Sequence, residues 1–596
     1  MQATRRARRG RRGTSALLVA ILALAVTGCG LTSRPTIPPD ASAAPLPPGP
    51  TLPPSTAIPF EASAYPRSGA APCDELSAPD SEHGPYTGNL RRIRADDAST
   101  VVFELCRPDV AFPARLAHPS FGIADSGWLA SQIEPDGDGE PAILSVINGT
   151  GPFRFEVWQR GTDLSLLRHE GYWGAVAEPE RLVFTWAESA TDRLAALRDG
   201  TVDGIDGLSA ADTVAAQELD DVVIAPRSGL GTLYLGMNQR YAPFDSELVR
   251  RAIGIGLDRA RIVREGFPAG TAAASHWTSC AIQFGCAGSA WLAFDPVRAT
   301  ELLDEGGYPE GFSTTLRYPD APRDYLPDPE GTATTIRDQL LEIGIDAALQ
   351  AVDFDTLVAD AEAGRLDGLH LLGARPRVAD VSAVLDPRFG SGSPGEFGTP
   401  IDAVVTALDA GAATTDPEAR ERSYARVNGT LRIQVPAVPL AHPAPAAAFL
   451  SDVRDAVASP TGTEWFAAMT PGDRRQLVWR QASEPGSLFC ADETEADALR
   501  ACAQVSEGLF GYAVGGATIE PRLATGCTAD DALLTWTCTL RDGVRFHDGS
   551  RLDAADVVDT FALQWDADHP RHRGRTGSFE TFVRLFGGFL NPPAAG

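Results

Sequence analysis

The chain contains no lysine. All 51 of its basic side chains are arginine, set against 79 aspartates and glutamates, and the formal charge is −28. Such a balance disfavours nucleic acid and anionic lipid as partners. The one glycine loop that looks like a phosphate cradle, GTGPF at 149–153, lacks both the lysine and the helix of a P-loop and reads as a turn before a strand. No Cys-x-x-Cys pair occurs and the nine histidines are scattered, so no metal-ligand set stands out and no cofactor is expected. GxSxG, HExxH and repeated carboxylate motifs are absent. His547-Asp548, in FHDG, is the catalytic pair left to weigh, and it sits at a turn. With 43% apolar and 8% aromatic residues in 596, the chain is globular and long enough for two or more lobes.

No apolar run has the length of a comfortable membrane span. The longest is 16–26, preceded by Arg5, Arg6, Arg8, Arg9, Arg11 and Arg12 and ending Val26-Thr27-Gly28-Cys29. That arrangement resembles a bacterial lipobox, in which Cys29 becomes the lipidated N-terminus; an ordinary cleaved signal with an incidental cysteine is the blander reading. Without the first 28 residues the balance is 45 arginines against 79 acids, or −34. Residues 30–72, with PTIPPD, PLPPGP and TLPPS, read as an extended tether that lifts the folded part off a membrane.

Eight cysteines remain: Cys73, Cys106, Cys280, Cys286, Cys490, Cys502, Cys527 and Cys538. An even number outside the cytoplasm suggests disulfides. Neighbour pairing, 73–106, 280–286, 490–502 and 527–538, is the simplest scheme among about 105.

Residues 535–565 carry the strongest local signal. Trp536, Cys538 and Leu540 alternate with polar residues as in a half-buried strand, Asp542-Gly543 marks a hairpin turn, and Val544 and Phe546 alternate on an expected return strand. A helix with Val557, Val558, Phe561 and Trp565 on one face is expected from Ser550 onwards. LRDGVRFHDGSRLDAADVVDTF at 540–561 closely resembles a signature of extracytoplasmic solute-binding proteins of family 5, the binding proteins of dipeptide and oligopeptide ABC importers. Further strands and helices over 89–452, among them a single helix expected at 247–265, resemble the family in its own order. The family places the signature near its start, whereas here 476–591 supplies that part last. The chain therefore reads as a circularly permuted member, with 460–475 as the new joint; a fragment of a tandem duplication is the rival.

The resemblance implies an α/β fold of the two-lobed periplasmic-binding-protein type II class. Lobe I would comprise 73–230 and 445–596, and lobe II 231–444, with ligand held between them. Family members that bind peptides carry W-x-x-D-Y on the second lobe, where the aspartate neutralises the peptide amine. Anchored on the trailing LDPRF, those positions become Ala374, Arg377 and Val378, with Arg375 between them and Asp380 downstream. Arginine there repels an amine and suits a carboxylate or phosphate; arginines pointing to solvent are the alternative. The opposite wall is expected from the loop 483–489, with Ser487, Leu488 and Phe489. The implied function is an extracytoplasmic, lipid-anchored, monomeric binding protein. It would deliver a peptide-like or other polar solute to an ABC permease, without chemistry. An envelope signalling or assembly lipoprotein on the same fold is the second reading, and an enzyme the least supported.

Overall fold

The computed structural model describes residues 60–73, 85–131, 145–268, 270–444 and 446–592. Cys29 lies outside the described residues, as does the tether up to residue 59. The expected tether ends short of residue 72. Ser63–Tyr65 is an edge strand paired antiparallel with Leu90–Asp97, and Tyr65 packs on Trp565 and donates to Asp566. The proline-rich composition stops at 54, and the following aromatics have a core to join.

Three larger sheets organise the rest of the described residues, beside two two-stranded ribbons, Val453–Arg454 with Thr470–Pro471 and Phe510–Tyr512 with Ile519–Pro521. The first runs Ser63–Tyr65, Leu90–Asp97, Thr100–Leu105, Thr535–Leu540 and Ala524–Ala529, all antiparallel. Its strand Thr535–Leu540 buries Trp536, Cys538 and Leu540, the face that the alternation marks. No return strand follows. Val544 and Phe546 are buried, but Phe546 N–H bonds Ser550 O and Leu552 N–H bonds Val544 O, so the segment curls around Asp548-Gly549. The helix begins later than expected, at Ala554–Trp565, because Asp553 and Asp556 form a reciprocal capping box.

The second sheet is ordered Phe153–Gln159, Asp163–Arg168, Arg181–Trp186, Gln476–Gln481, Gly204–Ile205, Ala447–Leu450, Val222–Ala225. Gln476–Gln481 lies parallel to Arg181–Trp186, with Leu477 opposite Leu182. These two sheets make lobe I. Lobe II has one sheet: Ala272–Ala273, Ala437–His442, Thr232–Gly236, Leu369–Ala374, Phe312–Pro319, Ile345–Val352. The expected helix 247–265 is two helices, Glu247–Gly256 and Arg259–Gly266. Leu257 is extended and Asp258 caps the second helix through Arg261 N–H.

The chain crosses between lobes just before Thr232 and just after His442. At Gly229 an added Cβ would stand 2.3 Å from Pro443 O, so the two crossings touch backbone to backbone. The apolar clusters divide there: one spans Leu233 to Ala441, and the large cluster of lobe I draws a single fully buried contributor, Val378, from lobe II. Disulfides join Cys73 to Cys106, Cys490 to Cys502 and Cys527 to Cys538 in lobe I, and Cys280 to Cys286 in lobe II.

Candidate ligand site at the lobe boundary

The parallel strands Phe312–Pro319, Ile345–Val352 and Leu369–Ala374 run towards the lobe boundary, so the loops after them gather on that side. Such C-terminal sheet edges are where α/β proteins collect ligands. A cavity of about 310 Å³ lies in lobe II beside these loops, lined by Tyr325, Phe354, Asp355, Val358, Glu362, Leu372, Gly373 and Arg388. Tyr325 lies flat on the strand: a Cβ on Gly373 would stand 2.5 Å from its ring. Burial raises the Tyr325 phenol. The Arg323 guanidinium sits 3.8 Å over the Phe354 ring. Arg388 donates from Nη1 to Glu396 at 2.5 Å, and Glu396, 1% exposed, also takes Tyr234 Oη at 2.7 Å. The Arg388 charge at the cavity is therefore neutralised from within lobe II by Glu396.

The loop after Ala374 closes this region towards lobe I. Ala374 itself is buried at the strand end. Arg375 is largely exposed and pairs with Asp324 at 2.7 Å. Arg377 is exposed and reaches across the boundary, donating from Nη1 to Arg584 O at 3.1 Å. Val378 is 3% exposed within the lobe I cluster, and the Tyr512 hydroxyl of lobe I lies against the Ala379 backbone. Asp380 is saturated inside its own lobe. It takes Arg420 Nη2 on both oxygens at 2.9 and 3.0 Å, and Ser382 N–H and Oγ at 2.9 and 2.7 Å.

Ser487, Leu488 and Phe489 are buried in lobe I, at 0%, 0% and 3% exposed. Ser487 Oγ donates to Glu493 at 2.7 Å, and Phe489 meets Phe579 edge-on. Glu493 in turn takes Arg575, while Asp492 takes Thr576, Gly577 and Phe579 N–H groups. This loop thus shapes the segment leading to Arg584 and points its own side chains inward. Tyr325, Phe354 and Arg388 were not singled out from the sequence. The available signal was position, since Phe354 follows a strand end by two residues and Tyr325 lies in the next loop over.

The His547-Asp548 pair does not form a proton relay. Asp548 accepts from Ser550 N–H and Oγ, and His547 packs edge-on against His169 at 4.9 Å. Burial drives the His547 imidazole down to about 3, so it stays neutral.

Two α/β lobes linked by paired crossings, with a cavity in lobe II beside the strand that ends at Ala374, have the architecture of a cleft-type solute-binding protein. Bacterial extracellular solute-binding proteins of family 5 (middle) match residues 60–395 and 518–583, more than half of the chain, and the chain belongs to that family. Heme-binding protein A of Haemophilus influenzae is 27% identical over 385 residues, covering 63% of this chain and 69% of that protein. The glutathione-binding protein of Salmonella choleraesuis is 26% identical over 385 residues, covering 62% and 72%. HbpA2 of Haemophilus parasuis, a solved structure, has a TM-score of 0.58 at 24% identity, covering 64% of this chain and 75% of that one, a likeness of fold. The family is extracytoplasmic and binds solutes for ABC importers.

Proposed function

We propose that this chain is the lipid-anchored binding protein of an ABC importer and that it carries an acidic or N-blocked, peptide-sized ligand to a membrane permease without chemistry. The observation that carries this reading is the 310 Å³ cavity beside the Ala374–Asp380 loop. The apolar part of the ligand fills the space between Tyr325 and Phe354. Its anionic group meets Arg377, whose guanidinium keeps donors beyond the one given to Arg584 O. Asp380 is unsuited to a free amine, because Arg420 and Ser382 already occupy it. Ser487, Leu488 and Phe489 support the opposite wall from behind, and Arg375 contributes field while paired to Asp324. The protein works as a monomer, tethered by acyl chains on Cys29.

The test is mass spectrometry of protein extracted intact from the membrane, then calorimetry with the ligand found. An acylated Cys29 and a co-purified acidic or N-blocked ligand are expected. Arg377→Ala should weaken binding about 10- to 100-fold, the value of a hydrogen bond to a charged group. Tight binding of ordinary free dipeptides, unchanged by Arg377→Ala, would overturn the site reading, and an unmodified N-terminus at another residue would remove the anchor.

A further inference from the structure

Lobe II carries a second cluster of chemically able side chains away from the cavity. In HWTSCAIQFGC, 276–286, a ring nitrogen of His276 and the sulfurs of Cys280 and Cys286 lie within 4.8 Å of one another. His276 is 7% exposed. Its Nδ1 is 3.0 Å from Ser275 Oγ. The ring also lies against the Gly288 backbone. Ser275 Oγ is also 3.7 and 3.9 Å from the two sulfurs. One imidazole and two sulfurs converging on one point form a soft ligand set. As a disulfide the sulfurs hold no thiolate and the set is closed. As two thiolates they would complete a three-ligand site with a fourth position left for water, the pattern that zinc takes.

We propose that Cys280, Cys286 and His276 form a redox-gated zinc site that is masked by the disulfide and unmasked by a dithiol reductant. Cys280 is the exposed sulfur. A thiolate of the dithiol attacks Cys280 Sγ, Cys286 leaves as a thiolate, and the second thiol of the reductant resolves the mixed disulfide. The protein bridge gains two electrons and the dithiol becomes a disulfide. Zinc capture then displaces the thiol protons.

Two features favour this bridge. It closes the smallest of the four loops, with a separation of 6, so its loss costs the fold the least stability. By contrast Cys490, Cys502 and Cys538 are buried, and Cys73 and Cys106 are half-buried, so Cys280 alone of the eight is exposed. The surrounding loop is also held without the disulfide. Trp277 is buried against Tyr234 and Phe389. Asn428 Nδ2 holds Gly285 O and Ala287 O at 3.3 and 2.9 Å, and Trp291 N–H holds Ser275 O at 2.6 Å. The ligands therefore stay gathered once the bridge opens. Ala274 N–H bonds Leu440 O, which ties this loop to the strand that leads into the second crossing.

The experiment uses the full chain, reduced briefly with a phosphine, freed of reductant without oxygen and titrated with Co²⁺. Differential alkylation should find Cys280 and Cys286 modified first. One equivalent of Co²⁺ should give a thiolate charge-transfer band, and Zn²⁺ should erase it. His276→Gln should weaken binding by more than about tenfold. The oxidised protein, the Cys280→Ser/Cys286→Ser variant and the reduced protein alkylated before titration should each give no band. A band in any of those controls, an unchanged affinity in His276→Gln, or earlier opening of another bridge overturns the proposal.

Discussion

Asp556 is 4% exposed and sits in the first turn of helix Ala554–Trp565. Its oxygens accept Ser126 N–H at 2.8 Å and Asp553 N–H at 2.9 Å. Those bonds favour the carboxylate, yet burial outweighs them, with the Asp553 charge adding to it, and its carboxyl is pushed up to about 7. The sign follows from linkage. The folded state holds this proton more tightly than the unfolded state, whose aspartates titrate near 3.9. The contribution to stability is complete below that value and is lost as pH rises to about 7, at about 1.4 kcal/mol per pH unit. Asp556→Asn keeps an acceptor and removes the proton. Between pH 4 and 7 the wild type should therefore lose stability relative to the variant, read as converging urea midpoints. Parallel curves would mean that Asp556 does not titrate there. Asp380 is engaged within its own lobe by Arg420 and Ser382, so a family acid can be retained in sequence without being offered to a ligand.

At the scale of elements, buried charge ties the crossing and the joint to lobe I. Arg500 is 1% exposed and its guanidinium holds Glu464 and Asp497 at 2.6 Å each, together with Asp206. Arg227, in the first crossing, holds Asp206 at 2.5 Å and also Glu464, which lies in the joint. Burial alone would raise Asp206, but Arg500 and Arg227 hold its carboxyl well below the usual range. Arg500→Met should cost about 3–5 kcal/mol, since it leaves buried acids uncompensated. Chemical unfolding measures this, and a loss under 1 kcal/mol would mean that water reaches the cluster. None of this network was legible in the sequence, because its members lie far apart along the chain. Elements with a clean period were legible, as in Trp536, Cys538 and Leu540. Val544 and Phe546 misled because two buried residues in a curled turn mimic a short alternation. The helix over 247–265 misled because the apolar stripe continues through a break that only the Asp258 cap creates. The trailing LDPRF anchors the loop from Ala374 to Asp380, which lies at the end of a lobe II strand and reaches lobe I through Arg377. The cavity was not legible, since Tyr325, Phe354 and Arg388 meet only once the parallel strands place their loops at one edge.

At the scale of the whole molecule, late segments of the chain share sheets with early ones. We propose that the chain is a circular permutation, with the segment after 476 moved from first to last. Strand Gln476–Gln481 sits inside the second sheet, between Arg181–Trp186 and Gly204–Ile205. Strand Thr535–Leu540 sits inside the first, between Thr100–Leu105 and Ala524–Ala529. Neither has the separate set of partner strands that a tandem copy would require. The described ends also adjoin: Thr87 Oγ1 donates to Gly587 O at 2.7 Å, Asn89 N–H to Phe586 O at 2.6 Å, and Tyr65 packs on Trp565. Permutation is tolerated where the ends are close and the opened turn is exposed. Such a turn exists at Gly472-Asp473, where Gly472 has φ +59° and Asp473 is exposed, and it leaves Glu464 with its arginines. A chain that starts at Asp473, runs to 592, continues through about a dozen glycines and serines to 60 and ends at Gly472 restores the family order. It should be secreted folded, with the same four disulfides by peptide mapping, and should carry the same ligand. If it aggregates with scrambled bridges, or if 476–592 expressed alone folds as an independent unit, the two segments do not belong to one divided lobe and the duplication reading takes its place.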